Sequence, residues 1–304
     1  MACYLCATLF SEHTINYMHY ALCHLSVVSL RKSPSNRSEQ VSQLLFGEVV
    51  EVIEKKGKQW AKVRCTWDHV IGWVAMNQIT PITDKEFQTF SEDYSYCLDL
   101  FQPVYFDDNM VPVTLGARLP GFDGLKFEFN GKTCRYTGLA VEKENLGPVH
   151  LLKIAHKLMY APHQWGGRSP LGIDSSGFVQ LVYQMAGISL PRDANQQVFI
   201  GEVIDFAEQA KPGDLAFFEN SKGTISHVGI LLEDGKLIHC WEKVRIDPFD
   251  HFGVYNHNLQ RYTHKMRVIK RLIPQTEILP LDKKETGATS NVTPVSPDQL
   301  AMFD

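Results

Sequence analysis

The chain has 304 residues, 44% hydrophobic and 21% charged, with a formal net charge of −4. That length admits two or three domains, each able to bury a core. A slightly acidic balance without a basic run argues against a nucleic-acid partner, and no run of about eighteen apolar residues offers a membrane span.

Residues 1–21 have no firm period and read as a leader. They carry Glu12 and His13 but no basic n-region and no clean apolar run. A signal peptide is therefore not expected, and the protein is placed in the cytoplasm, or in the periplasm or outside the cell if the start lies elsewhere. Seven cysteines, at 3, 6, 23, 65, 97, 134 and 240, are odd in number and irregular in spacing, unlike a disulfide framework. Cys3-x-x-Cys6 lacks a second such pair and a βαβ context, so it reads as chance rather than half a zinc knuckle or a redox pair.

Residues 22–82 read as short β. Residues 25–30 and 60–64 alternate, residues 44–53 give strands around Gly47, and Gly72-Trp73-Val74 follows. Many short strands at that spacing argue for a small barrel, with Trp60 and Trp73 as core. A second β-rich block, 95–145, carries turn signals at Gly116, Pro120 and Asn130-Gly131. It is either a second, divergent barrel or a linker subdomain. At residue 148 the period changes: 150–159 fits a helix, and 176–186 fits another closed by Gly187. Strands are expected at 215–218, 227–232 and 237–241. Residues 273–304, rich in Thr, Ser, Pro and charge, read as a disordered tail.

Certain stretches carry more than periodicity. Trp165-Gly166-Gly167-Arg168-Ser169 precedes Gly172-Ile173-Asp174-Ser175-Ser176-Gly177, and His227-Val228-Gly229-Ile230 and Ile238-His239 lie downstream. Together these resemble the NlpC/P60 family of cysteine peptidases, which cut bacterial cell-wall peptides. Leu30-Arg31-x-x-Pro34-Ser35, with Gly47-Glu48 and Gly72-Trp73-Val74, looks like a bacterial SH3 domain. The resemblance implies an α+β fold: a papain-like catalytic domain over 148–272, preceded by one or two SH3-like barrels. It implies no metal and no organic cofactor.

A cysteine peptidase needs a thiolate, a base to take its proton and a group to orient the base. By resemblance the nucleophile position is Ser175, the base His227 and the orienter His239. The family has cysteine at 175. A free thiol has a pKa near 8.5, which a helix start and an imidazole can lower; a serine hydroxyl is far less acidic, and a helix dipole worth roughly 0.3–2 kcal/mol cannot ionise it. Activity is therefore expected to be down by orders of magnitude. A protein that binds wall fragments without cutting them, and a true serine nucleophile, are the alternatives. His163 stands where the family often has an oxyanion-supporting tyrosine. Two departures at one site favour natural loss over a single introduced change.

The hairpin between the histidines offers a test from spacing. A two-residue Asp234-Gly235 turn would put His227 and His239 on opposite faces of the sheet, because side chains alternate. The assignment therefore requires a loop with an odd number of residues. A zinc site from His227, His239 and Cys240 would lack a fourth ligand.

A barrel ahead of such a domain looks like the subgroup that cleaves γ-D-glutamyl–diamino-acid bonds in peptidoglycan peptides with a free N-terminal L-alanine. Residues matching its amine site and nucleophile surroundings are Asp174, Asp193, Trp165 and Ser176, with Val70 where the subgroup often has a tyrosine. A buried carboxylate suits an ammonium ion, and the competing reading of Asp193 is a helix cap. Gly166 and Gly167 are expected to let the backbone approach substrate.

Overall fold

The computed structural model describes residues 19–273. The Cys3-x-x-Cys6 pair, nearly all of the leader and nearly all of the tail lie outside these residues.

Seven short strands open the fold: β1 (Tyr20–Cys23), β2 (Val27–Arg31), β3 (Gln40–Leu45), β4 (Val49–Lys56), β5 (Trp60–Cys65), β6 (Ile71–Ala75) and β7 (Ile79–Ile82). They pair antiparallel in the order β3-β2-β6-β5-β4-β1-β7. All seven give side chains to one core, from Ala21 and Cys23 through Leu30, Leu44, Val50 and Val63 to Val74 and Ile79, so the sheet is curled round it. β1 corrects the reading of residues up to 21 as a leader. It pairs with both β4 and β7. Ala21 and Cys23 face this core while Leu22 faces a second one, so both faces are buried and no alternation shows in the sequence.

Helix α1 (Asp84–Glu92) follows, begun by a capping box in which Thr83 and Glu86 each satisfy the other's backbone N–H. The middle block comprises β8 (Tyr94–Cys97), β9 (Phe101–Phe106), β10 (Asn109–Thr114), β11 (Arg118–Pro120), β12 (Lys126–Phe129), β13 (Lys132–Tyr136) and β14 (Ala140–Glu142). These form a four-stranded sheet, β10-β9-β13-β12, and a three-stranded one, β11-β8-β14. Their core, with Val104, Phe127, Phe129 and Tyr136, also takes Leu22, Phe46 and Val49 from the first barrel.

The last part has α2 (Leu151–Lys157), a small hairpin of β15 (Arg168–Ser169) and β16 (Gly172–Ile173), α3 (Ser175–Met185) and α4 (Ala194–Gln197). Then come β17 (Glu202–Ile204), β18 (Leu215–Glu219), β19 (Ile225–Leu232), β20 (Lys236–Trp241), β21 (Lys243–Asp250), β22 (Gly253–Asn256) and β23 (Arg261–Arg271). β23 is long enough to pair with β22 through its first half and with β18 through its second. The six strands β18 to β23 therefore close on themselves, with α3 packed on β19 and β20. Every residue of α3 is buried, as suits a helix clamped between that sheet and the first barrel. His227 thus sits on an interior strand, between β18 and β20. No helix among the described residues is long and apolar enough to cross a membrane.

Candidate active site

Ser175 is the first residue of α3, and Asp174 is its N-cap. The Asp174 carboxylate accepts from the backbone N–H of Gly177 (2.7 Å) and of Gly166 (2.8 Å). Arg192 donates to both carboxylate oxygens, at 2.9 and 2.6 Å. Ser176 Oγ donates to Asp174 and accepts from Arg192. Asp174 and Ser176 are thus committed to holding the start of the helix. Each oxygen of this carboxylate accepts from a backbone N–H and from Arg192.

Asp193 differs. It occupies the N-cap position of α4 but makes no side-chain capping bond, and it is exposed. Its carboxylate remains available, unlike that of a working cap.

The histidine hairpin turns through residues 233–235, with Gly229 opposite His239 and Leu232 opposite Lys236. Asp234 (φ 58°) and Gly235 (φ 62°) both adopt the left-handed conformation that the turn needs. The odd loop puts His227 and His239 on one face. His227 Nε2 lies 2.7 Å from His239 Nδ1, and His239 Nε2 lies 3.1 Å from Asp247 Oδ2. Arg245 holds Asp247 in turn, at 2.8 Å.

This chain fixes the protons. Asp247 can only accept, so His239 carries its proton on Nε2 and offers a lone pair at Nδ1. His227 must then donate from Nε2, which leaves its Nδ1 as the free base. Burial opposes ionisation of Asp247, but hydrogen bonds from His239 and Arg245 outweigh it and keep the carboxyl below its ordinary pKa. Burial lowers the pKa of His239 against the pull of Asp247. His227 falls well below its ordinary value, through burial first and then through His264, His239 and His163. These effects hold the His227 imidazole neutral.

His264 carried no signal in the sequence. It lies on β23, its ring 4.2 Å from that of His227, with the edge of Trp241 at 4.6 Å. Burial and His239 push its pKa down to about 4. Asp247 and Arg192 were missed for the same reason: each meets its partner only across strands or loops.

Backbone bonds bring the pieces together. Ile173, two residues before Ser175, bridges His163 and takes hydrogen bonds from Gln164 N and from the Cys240 thiol, the latter at 3.1 Å. His163 itself is exposed, and its N–H donates to Glu242 O. Cys240 is no candidate for a reactive thiolate, because burial and then Asp174 push its thiol up to about 12. It also faces Ile173, so it does not complete a zinc site. Nitrogens of His227, His239 and His264 do lie within 4.8 Å of one another. A metal there would have to displace the His227–His239 bond. Ser175 Oγ has no hydrogen-bond partner among the described residues.

Trp165 is 67% exposed and reaches the first barrel, its indole donating to Glu39 (2.9 Å) and its carbonyl accepting from Gln40 (3.1 Å). Gly166 (φ 69°) is pressed on the barrel: a Cβ there would lie 2.3 Å from Gln40 O. At Gly167 a Cβ would lie 2.3 Å from Gly172 O. Both glycines are therefore needed for close packing within the protein. Val70 packs on the barrel core.

The NlpC/P60 family model matches residues 160–268, and the bacterial dipeptidyl-peptidase SH3 domain model matches residues 30–79. The chain is an NlpC/P60-domain protein with a bacterial SH3 domain ahead of that domain. It is 28% identical over 229 residues to a gamma-D-glutamyl-L-lysine dipeptidyl-peptidase of Bacillus cereus, covering 67% of this chain and 68% of that one. A Bacillus subtilis protein of the same name is 42% identical over 80 residues, 26% of this chain and 27% of its own length. A crystal structure of an NlpC/P60 family protein from Bacillus cereus has the same fold, with TM-score 0.70, 22% identity and coverage of 84% of this chain and 100% of that one.

Proposed function

We propose that this chain has the binding cleft and base of a peptidoglycan stem-peptide hydrolase of the γ-D-glutamyl–diamino-acid type, and that Ser175 cripples its cleavage step. The observation that carries the proposal is the His227–His239–Asp247 chain beside the helix that begins at Ser175. It supplies the base and the orienting groups of an acyl-transfer site. The names of the Bacillus relatives support the substrate class. The exposed, uncapped Asp193 supports recognition of a free N-terminal ammonium.

Ser175 Oγ is not engaged by a base in this state, which favours a second role: binding wall fragments without turnover. A serine nucleophile depends on a base within hydrogen-bond reach.

Calorimetry with L-Ala-γ-D-Glu–diamino-acid tripeptide tests the substrate class. Saturable binding that is lost when the tripeptide is N-acetylated supports the proposal. Equal binding of both peptides, or none of either, overturns it.

A further inference from the structure

A cavity of about 300 Å³ lies where the first barrel, the middle block and the last turn of α3 meet, and none of its lining residues belongs to the site around Ser175. Its most unusual member is Arg118. That side chain is 4% exposed, yet its guanidinium makes no hydrogen bond and no ion pair among the described residues, and its Nε is buried without a partner. The rings of Tyr94 and Trp67 lie 4.5 and 5.4 Å from its Cζ. They offer cation–π attraction but no acceptor for the N–H groups.

Arg168 makes the contrast plain. It also lies over Trp67, at 4.9 Å, but both oxygens of Glu48 receive its guanidinium. Of two buried arginines beside one indole, one has its carboxylate and the other has none. Nearby acids are already committed: Glu48 to Arg168 and to Leu45 N, and Asp68 to Gln180 and to Val70 N. No Asp or Glu lines the cavity, whereas Lys143 does. Trp67 Nε1 and Ser91 Oγ are further lining groups that are buried without a partner. A buried, unpaired guanidinium is costly unless an anion meets it.

We infer that this cavity binds a small oxyanion, a carboxylate or a phosphate, with Arg118 as its main ligand and Lys143, Trp67 Nε1 and Ser91 Oγ around it. The lining is cationic, aromatic and rich in donors, which suits a small molecule carrying one such group. The site rests on nothing assumed about Ser175. It joins all three parts of the chain at the end of α3 opposite Ser175, so an occupant would brace them together.

The test uses the full chain, with sodium phosphate and sodium citrate titrated at constant ionic strength by calorimetry and thermal melting. At least one of the two should bind saturably and raise the melting temperature. Phosphate alone would assign the phosphate class, and citrate alone the carboxylate class. Arg118→Met should weaken binding about ten- to a hundredfold, the scale of a lost hydrogen bond to a charged group. Trp67→Phe keeps an aromatic face, removes the N–H and should also weaken binding, which keeps the test open if Arg118→Met fails to fold. Absence of saturable binding by either anion, or equal affinity in the folded variants, overturns the inference.

Discussion

Arg168, on the hairpin just before Ser175, forms a two-pronged ion pair with Glu48 of the first barrel, at 2.8 and 2.9 Å, and neither side chain is exposed. Arg168 also donates to Gln184 on α3 and to the carbonyl of Gln43. One guanidinium therefore ties the barrel, the approach to the candidate nucleophile and the nucleophile helix.

Removing one partner should strand the other in a dry interior. Glu48→Gln is expected to cost about 3–5 kcal/mol in urea unfolding, and Glu48→Leu with Arg168→Met should recover most of it. A loss of under about 0.5 kcal/mol in the single variant, the scale of an ordinary surface change, would contradict this account of the interface.

Asp247 sets which nitrogen of His227 is free. Asp247→Asn, in the Ser175→Cys background, replaces an obligate acceptor by a group that can donate to His239 Nε2 and so reverse the tautomers. Cleavage of the tripeptide should fall at least tenfold, with binding nearly unchanged. Equal loss of binding and cleavage would mean that Asp247 supports the fold rather than the base.

Acid should destabilise the protein through its buried imidazoles. His264 titrates near 4 when folded and near 6.5 when unfolded. Between those values the unfolded chain binds the extra proton, so stability rises with pH. The contribution is complete above about pH 6.5 and is lost as pH falls toward 4, by about 3 kcal/mol in all. His264→Phe should flatten that part of the profile. An unchanged slope in urea titrations from pH 7 to 4 would show that His264 is not buried neutral.

Asp174 and Asp193 should separate cleanly. In the Ser175→Cys background, Asp193→Asn is expected to raise KM for the tripeptide with little change in kcat or in melting temperature, as loss of uniform binding does. Asp174→Asn, which deprives Arg192 of its buried partner, should lower stability instead, by about 3–5 kcal/mol. The reverse pattern would return the amine contact to Asp174.

Much of this arrangement is legible in the sequence because it is local. The start of α3 and its closing glycine follow from short-range rules, whereas the parity of the histidine hairpin does not: Asp234-Gly235 by itself suits a two-residue turn, which would put the imidazoles on opposite faces. Helix α1, opened by the capping box of Thr83 and Glu86, lies between two blocks read as β and is not among the expected elements. What hides depends on long-range closure. β1 is buried on both faces and shows no period. His264 reaches His227 only because β23 completes the ring of strands. Asp247 reaches His239 because β21 runs beside β20, where Leu237 faces Asp247. Arg192 and Asp174 are 18 residues apart, and nothing in either stretch announces their pairing.

The most direct measurement compares kcat/KM on the L-Ala-γ-D-Glu–diamino-acid tripeptide for three proteins: the chain with Ser175, Ser175→Cys, and Ser175→Cys with His227→Ala. Ser175→Cys should exceed the serine form by about three orders of magnitude or more, and His227→Ala should remove that gain. Equal rates for the serine and cysteine forms, or a cysteine form indifferent to His227, would contradict the assignment of position 175 and of its base.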